Sequence, residues 1–285
     1  MSNALLDLAH AHVAEFLRQL PERHVGPRAT RDELLRALHV PLSDGGEDAA
    51  RVLDVIAAQG ERGAIATAGP RYFGFVIGGT YPVSLAADWI TSAWDQNPGL
   101  YATSPVVSVL EDVAREWLLD LLDLPRESGL GFVTGCQMAN FTCLAAARHA
   151  VLRRAGFNVE EEGIAACPRV NIVVSEESHV TIHVSLRYLG IGTRGLHKVA
   201  TDEQGRMRAD DLRRVLSTLD GPTIICAQAG NVNTGSFDPL RELGEIARER
   251  GAWLHIDGAF GLWARASRDR SALADGIELA DSWAT

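Results

Sequence analysis

Short apolar runs alternate with amphipathic stretches through most of this sequence, and that alternation constrains the fold more than any other feature. Apolar runs at 131–134, 170–174, 196–200, 223–227 and 253–257 predict strands. Helical spacing predicts helices over 106–122, 137–154, 179–189, 209–219 and 239–250, the last capped by Asp238 and ended by Gly251. Strands that alternate with helices form a mostly parallel sheet covered on both faces, so we predict an α/β domain.

The first 95 residues follow a different pattern. Amphipathic spacing predicts helices over 3–20 and 47–59, the latter ended by Gly60. Between them, Thr30 and Glu33 form a capping-box pattern that starts another helix. Such helices form either a small subdomain packed on its own chain or a dimer-forming arm. We therefore divide the chain into a helical, dimerising segment over 1–95 and a large domain over 96–285.

Aromatic residues are set among glycine and proline between residues 70 and 105, around a helix predicted over 84–93. Phe73, Tyr81, Pro82 and Tyr101 belong to these loops. Loops of this composition either line a pocket or pack against the protein, and the pattern alone leaves both interpretations open.

The apolar run at 253–257 ends in a single acidic residue, Asp257. A carboxylate at the carboxyl end of a buried strand is costly unless a polar or positive group meets it. Open parallel sheets also bind their ligands at this edge. Asp257 therefore either caps a turn, pairs with an arginine or binds a ligand.

A small-residue turn at Thr134–Gln137 lies between a predicted strand and a predicted helix. Such a turn presents unpaired N–H groups and the positive end of a helix dipole, which suits a phosphate. A phosphate site in the same sheet as Asp257, which could hold a protonated ring nitrogen, matches what pyridoxal 5'-phosphate requires.

Two other motifs lack the sequence context that their functions require. Residues 190–195 match the dinucleotide-binding fingerprint but leave a predicted helix and enter a strand, so we interpret them as a turn. His179 and His183 are spaced like zinc ligands, yet Val180 stands where a metalloprotease has its glutamate. We predict no metal site.

Charge and composition exclude further classes of function. The net charge is −10, with no basic run, which argues against nucleic acid or an anionic membrane as a partner. No apolar stretch approaches the length of a membrane span, and the N-terminus lacks a signal-peptide pattern. The four cysteines show neither metal-ligand spacing nor the density of a secreted scaffold. We therefore predict a soluble, cytoplasmic protein with reduced thiols.

Five segments, in order, resemble the group II pyridoxal-phosphate-dependent amino acid decarboxylases, the family of aromatic amino acid and glutamate decarboxylases. They are GFVTGCQMANFTCLAAAR at 131–148, Ser-His at 178–179, NVNTGSFDPL at 231–240, HIDGAFG at 255–261 and ADSWAT at 280–285. The resemblance extends over residues 62–285. It implies a type I aminotransferase-like fold, a homodimer and conversion of an L-amino acid to an amine and carbon dioxide.

The resemblance also implies a role for individual residues. Gly135 and Cys136 would bind the cofactor phosphate through their backbone N–H groups, and Asp257 would pair with the pyridinium nitrogen. His179 would stack on the ring and help to protonate the substrate carbon, and Ala259 would pack beneath the ring.

The residues on the substrate side are compatible with two classes of amino acid substrate. By the same resemblance, Phe73, Tyr81, Pro82 and Tyr101 would form the substrate-side wall, partly supplied to the neighbouring subunit. An aromatic wall suits an aromatic amino acid, whereas Arg71, if it faces the pocket, would suit an acidic one.

Some residues depart from the family pattern. Asn231, Val232 and Asn233 replace common threonines, and the only lysine is Lys198, in a strand remote from the motifs. The sequence ends at Thr285, before the family's cofactor-anchoring lysine and its small C-terminal domain. We therefore expect the chain alone to be incomplete and inactive. The alternatives are another type I pyridoxal-phosphate enzyme, such as an aminotransferase or a carbon–carbon lyase, and a lysine-free paralogue acting as a binding or regulatory subunit.

Overall fold

The computed structural model describes residues 4–42 and 44–285 of the chain. These residues form two compact units, one that ends at Gln96 and one that spans Asn97–Thr285. In the part of the chain described, no helix combines the length and the apolar character needed to cross a bilayer.

Four helices make up most of the first unit: α1 (Ala4–Gln19), α2 (Arg31–Leu38), α3 (Ala49–Gly63) and α4 (Pro82–Trp94). The predicted capping box starts α2, because Glu33 N–H donates to Thr30 Oγ1 at 3.3 Å and Thr30 N–H donates to Glu33 Oε2 at 2.8 Å. The prediction that Gly60 ends α3 is wrong. The helix continues to Gly63, since Ala64 N–H donates to the Gly60 carbonyl at 2.8 Å.

The apolar faces of these helices are exposed. None of the four helices contains a buried residue, and Leu6 and Ile56 are 65% and 59% exposed. A soluble monomer rarely leaves so many large apolar side chains in water. The described chain therefore covers only part of the amphipathic faces that the sequence predicts for this unit.

The second unit is built on five parallel strands: β1 (Asn171–Ser175), β2 (His197–Val199), β3 (Thr223–Gln228), β4 (Trp253–Asp257) and β5 (Ser282–Ala284). Their order in the sheet is β2-β1-β3-β4-β5. Every pairing is parallel. Six helices connect or precede the strands: α5 (Pro105–Leu121), α6 (Cys136–Arg154), α7 (Val159–Glu162), α8 (Val180–Tyr188), α9 (Ala209–Leu216) and α10 (Leu240–Glu249). The predicted α/β architecture is confirmed.

Two apolar cores hold this sheet between its helices. Successive side chains of a strand point to opposite faces, so the β1 residues Ile172 and Val173 enter different cores. Ile172 packs in a core with side chains of α6 and α8, and Val173 packs in a core with side chains of α9 and α10. Burial on both faces explains why the strands read as continuous apolar runs.

The strand predicted at 131–134 is absent among the described strands. Phe132 is 55% exposed and Val133 is 38% exposed, and this segment has no described strand beside it. An apolar run alone does not make a strand, because a strand requires a hydrogen-bonded neighbour. The segment therefore enters α6 as irregular backbone.

Asp238 does not cap α10 as predicted. Its carboxylate is buried and accepts the N–H of Met207 on Oδ1 and the N–H of Gln228 on Oδ2, both at 2.7 Å. Two backbone donors thus take the oxygens that a helix cap would use. Burial raises the pKa of Asp238 to about 6, although both N–H groups act in the opposite direction.

Candidate active site

The candidate site lies where β4 ends and α6 begins. Asp257 is the last residue of β4 and is paired in register with Gln228 on one side and Ala284 on the other. The Cys136 thiol, at the first position of α6, donates to Asp257 Oδ1 at 3.7 Å. The predicted phosphate-binding turn and the predicted ring-binding carboxylate are therefore neighbours in space.

Asp257 is only 5% exposed. Asn140 Nδ2 donates to its Oδ2 at 3.1 Å, and the N–H of Ala259 donates to its Oδ1 at 3.3 Å. The hydrogen bond from Ala259 shows that Asp257 caps a turn, which is one of the roles that the sequence left open. The arginine partner is not found: across residues 4–42 and 44–285, Asp257 forms no ion pair. One face of the carboxylate is thus held by neutral donors, and its negative charge has no cationic partner.

The N-terminus of α6 is open. Gly135 precedes it with φ 91°, a left-handed conformation that glycine adopts without strain, and no side chain caps the helix. Among the described residues, no acceptor meets the N–H groups of Cys136 and Gln137. Gly135 differs from the prediction, because its N–H donates to the Val133 carbonyl at 2.9 Å as the chain turns. The free donors therefore begin one residue later than predicted.

Both thiols near this turn are held in the protonated form. Burial, followed by the nearby Asp257 charge, raises the pKa of Cys136 to about 12. Burial likewise raises the pKa of Cys143 to about 11, and its thiol donates to the Trp283 carbonyl at 3.3 Å. Neither thiol is suited to act as a nucleophile at neutral pH.

His179 is exposed and forms the N-cap of α8. Its Nδ1 lies 2.9 Å from Thr181 Oγ1, and that hydroxyl accepts from Asn140 Nδ2 at 3.1 Å. Asn140 therefore connects His179, through Thr181, to Asp257. The sequence did not assign a role to Asn140 or to its buried neighbour His255. His255 is a polar side chain within an apolar run, which is a usable signal.

The remaining site predictions are placed as follows. Ala259 is exposed, two residues after the end of β4. Phe73 and Tyr81 are 93% and 80% exposed in the first unit, where Pro82 is also exposed, and Tyr101 is 66% exposed in the second. The substrate-side roles of these four residues stay predictions.

Asn231 has a structural role that the sequence left undefined. Its side chain is 2% exposed, and its Oδ1 accepts the N–H of Asn233 at 2.8 Å and of Thr234 at 3.2 Å. The residue therefore shapes the turn that follows β3. This local role is one that asparagine fills readily, because its side chain can hydrogen-bond the backbone two residues on.

Apart from His179, the residues of the rejected motifs lie outside this site. Residues 190–195 connect the end of α8 to β2, as a turn does, and Lys198 is exposed on β2. His183 Nε2 lies 3.1 Å from Ser178 Oγ. The described residues contain no group of three or more side chains placed to hold a metal ion.

These features fit pyridoxal phosphate. Two free N–H groups at a helix N-terminus suit its phosphate, and a buried carboxylate without a cationic partner suits its protonated ring nitrogen. The exposed imidazole of His179 is linked to that carboxylate by two hydrogen-bonded side chains, Thr181 and Asn140. The site therefore brings together groups suited to the phosphate and to the ring nitrogen of this cofactor.

Comparison with known proteins agrees with this fit. Over 259 residues the chain is 31% identical to the acidic amino acid decarboxylase GADL1 of Bos taurus, covering 88% of this chain and 48% of that protein. It is 30% identical over 255 residues to the cysteine sulfinic acid decarboxylase of Rattus norvegicus, covering 88% of this chain and 50% of that protein. The chain thus spans about half the length of these curated relatives.

Solved structures give the same fold. The crystal structure of mouse CSAD in apo form superposes with a TM-score of 0.90 and 26% identity over 99% of this chain and 60% of that one. The structure of Oryza sativa TDC with PLP and tryptamine superposes with a TM-score of 0.86 at 22% identity, covering 99% of this chain and 62% of that one. The predicted type I fold is confirmed.

The family itself is identified by sequence. The pyridoxal-dependent decarboxylase conserved domain matches residues 35–285, which is most of the chain. That match, the type I fold and the site around Asp257 agree with one another, and they confirm pyridoxal phosphate as the cofactor at the level of the family. The chain therefore belongs to the pyridoxal-dependent decarboxylase family, the group II family that its motifs predict.

Proposed function

We propose that the protein catalyses pyridoxal-phosphate-dependent decarboxylation of an L-amino acid to an amine and carbon dioxide. The observation that carries this proposal is the buried Asp257 carboxylate, which has no ion-pair partner in the described chain and lies beside the open N-terminus of α6. One molecule with a protonated pyridine nitrogen and a phosphate satisfies both features. The decarboxylase relatives support the reaction type.

The residues act as follows in this proposal. When bound, the cofactor supplies an electron sink for the pair released as the bond to the carboxyl group breaks. Asp257 holds the proton on the ring nitrogen, and the N–H groups of Cys136 and Gln137 bind the phosphate. His179 covers the ring and moves a proton to the substrate carbon after carbon dioxide leaves. Ala259, two residues after the end of β4, packs beneath the ring.

An acidic amino acid is the substrate class we favour. The two curated relatives named above are an acidic amino acid decarboxylase and a cysteine sulfinic acid decarboxylase. Arg71 is exposed, and its Nη2 donates to the Arg23 carbonyl at 2.6 Å, which leaves other guanidinium donors for an acidic side chain. Phe73, Tyr81 and Tyr101, together with Pro82, are proposed as the wall on the substrate side.

The cofactor's aldehyde requires an amine, and Lys198 is the chain's only lysine. It lies on β2, at the opposite edge of the sheet from β5, with two strands between it and β4. We therefore propose that these 285 residues alone bind the cofactor without covalent attachment and do not turn over. A lysine-free binding subunit, or another type I enzyme, is the alternative.

A homodimer is proposed from the first unit. The exposed apolar faces of α1–α4 need a surface to cover them, and a second copy of the chain supplies one. The absence of nucleic-acid and membrane partners is likewise proposed, from the acidic charge of the chain. A cytoplasmic location is proposed from the lack of a signal-peptide pattern in the sequence.

The test of cofactor binding uses the 285-residue chain and pyridoxamine 5'-phosphate, which needs no lysine. We expect saturable binding that Asp257→Asn weakens about 10- to 100-fold, because a charged hydrogen bond is lost. Asp210→Asn, an exposed carboxylate paired with Arg208, serves as the matched control and leaves the affinity unchanged. Absence of saturable binding to the unmodified chain would overturn the proposal.

The reaction is tested separately. The coding sequence is read past the codon of Thr285, and the protein with any lysine found there is supplied with pyridoxal phosphate and L-amino acids. Amine and carbon dioxide support a decarboxylase, whereas keto acid or aldehyde products support the other type I enzymes. For the 285-residue chain itself, borohydride reduction after addition of pyridoxal phosphate is expected to leave no stable adduct at a single site. One specific adduct would refute the claim of non-covalent binding.

A further inference from the structure

A buried chain of polar side chains runs behind the candidate site. It begins at Trp253, whose Nε1–H can only donate and does so to Ser282 Oγ at 2.9 Å. The Ser282 hydroxyl lies 3.0 Å from His255 Nδ1, and His255 is 0% exposed. Because the Ser282 oxygen already accepts from Trp253, its proton is available for His255 Nδ1.

The other end of the chain is fixed by Asp257. Its carboxylate can only accept, so the group of Asn140 that lies 3.1 Å from Oδ2 must be the amide nitrogen. The Asn140 oxygen then faces His255 Nε2 at 2.9 Å. An amide oxygen can only accept, so the proton of His255 must be on Nε2. The Asn140 end of the chain therefore requires a proton on His255 Nε2, and the Ser282 hydroxyl can donate to Nδ1 of that neutral tautomer.

The neutral state of His255 has an independent cause. Burial lowers the pKa of His255 well below its ordinary value, because no water remains to solvate an imidazolium, although the nearby Asp257 charge acts in the opposite direction. A neutral ring with one donor and one acceptor matches its two neighbours, Asn140 and Ser282, without leaving a polar atom unpaired.

Asn140 has a second amide proton, which fixes the hydrogen-bond directions on the opposite side of the site. Nδ2 also donates to Thr181 Oγ1 at 3.1 Å. The Thr181 hydroxyl is then free to donate to His179 Nδ1 at 2.9 Å, and the N–H of Thr181 points to the same nitrogen at 3.4 Å. Since both contacts make Nδ1 an acceptor, neutral His179 carries its proton on Nε2.

We propose that His255 and Asn140 are positioning residues that set the proton states of the two cofactor-facing groups, keeping Asp257 an acceptor and directing the His179 proton to Nε2. This inference rests on the proposed function, because it assigns those two groups to the cofactor. Asn140 is its centre, since one amide group donates to Asp257 Oδ2 and to Thr181 Oγ1 at the same distance. Neither positioning residue needs to touch the cofactor.

The first test reads the tautomers directly in the ligand-free 285-residue chain labelled with ¹⁵N-histidine. NMR at alkaline pH, where histidine side chains are neutral, is expected to show a proton on Nε2 and none on Nδ1 for both His255 and His179. In Asn140→Leu, which keeps the size of the side chain and removes its amide, the His179 tautomer is expected to become mixed. A proton on His255 Nδ1 in the unmodified chain would overturn the inference.

The second test uses bound pyridoxamine 5'-phosphate, whose near-ultraviolet band reports protonation of the ring nitrogen. Asn140→Leu and His255→Leu are expected to shift this band toward the unprotonated ring and to weaken binding about 10- to 100-fold. His255→Gln should restore the wild-type band, because its amide nitrogen can replace Nε2–H as the donor to Asn140. Ile256→Val, a fully buried change on the same strand that touches no polar group, controls for loss of packing.

The outcomes separate the two proposals. Failure of the unmodified chain to bind pyridoxamine phosphate would count against the proposed function, and the tautomers of the ligand-free chain would still decide the inference. Binding with a band that is the same in wild type, Asn140→Leu and His255→Leu would overturn the inference and leave the proposed function intact. A band that shifts equally in His255→Gln and His255→Leu would also overturn it, because a donor would then not be what matters.

Discussion

Cys136 Sγ donates to Asp257 Oδ1 at 3.7 Å, so the first residue of α6 faces the last residue of β4 across 121 positions of sequence. The contact places a neutral donor beside a buried carboxylate at the point where the free N–H groups of α6 begin. It also places a thiol where a bound cofactor would cover it, and chemical modification can detect that.

Alkylation of Cys136 is expected to be slow. Burial and the Asp257 charge raise its pKa to about 12, so about one thiol in ten thousand is ionised at pH 8. Mass spectrometry after treatment with iodoacetamide should show Cys136 modified later than Cys167, which lies outside the site. Asp257→Asn should speed the reaction by removing the negative charge, and pyridoxamine phosphate should slow it. Rapid modification of Cys136 that is indifferent to both changes would contradict the geometry.

Gly135→Ala is expected to strain the turn that opens α6. The φ of Gly135 is 91°, and an added Cβ would meet no atom within 4 Å, so the cost comes from the backbone alone. We expect a loss of about 1–2 kcal/mol in the free energy of unfolding, together with weaker binding of pyridoxamine phosphate. Gly129→Ala is the matched control, because Gly129 is equally open but lacks a positive φ. Denaturant unfolding should leave the control near wild type, and equal losses in both variants would refute this explanation.

The pH dependence of stability should reveal Asp238. Its pKa of about 6 in the folded chain lies above the ordinary value, so the folded state binds more protons between those two values. Its contribution to stability is therefore complete at acid pH and is lost as the pH rises through about 6, by roughly 3 kcal/mol. Unfolding of wild type and Asp238→Asn is compared from pH 4 to 7. The free energy of unfolding of wild type minus that of Asp238→Asn should fall with rising pH. A rise would show that the two N–H donors affect the pKa of Asp238 more than burial does.

His255 should give the opposite pH dependence of stability. Its pKa in the folded chain lies below the ordinary value because of burial, so the unfolded state binds more protons as the pH falls below about 6.5. Stability from this residue is present at neutral pH and is lost on acidification. Wild type should therefore lose stability more steeply than His255→Gln between pH 7 and 5, as measured by denaturant unfolding. Parallel curves for the two proteins would show that His255 does not titrate on unfolding.

Much of the fold could be predicted because its signals are local. The Thr30–Glu33 capping box depends on four consecutive residues, and the alternation of apolar runs with helices depends on short windows of sequence. The strand expected at 131–134 failed because strand formation depends on a paired neighbour, and an apolar run does not show whether one is present. The prediction that Asp238 caps α10 was wrong for a similar reason. Its acceptor oxygens bind the N–H groups of Met207 and Gln228, which lie outside that helix.

The sequence alone determined the family, the alternation of strands with helices from residue 170 onward, and the residue types that can meet a phosphate and a ring nitrogen. Periodicity and motifs depend on residues that are close together along the chain, so they can be recognised in the sequence alone. Only the tertiary structure decided that Asp257 has no cationic partner in the described chain, and that Asn140 joins it to Thr181 and His179. Hydrogen-bond partners more than a hundred residues apart are chosen by how α6 packs on the sheet. Donor and acceptor directions follow from that packing and not from spacing in the sequence.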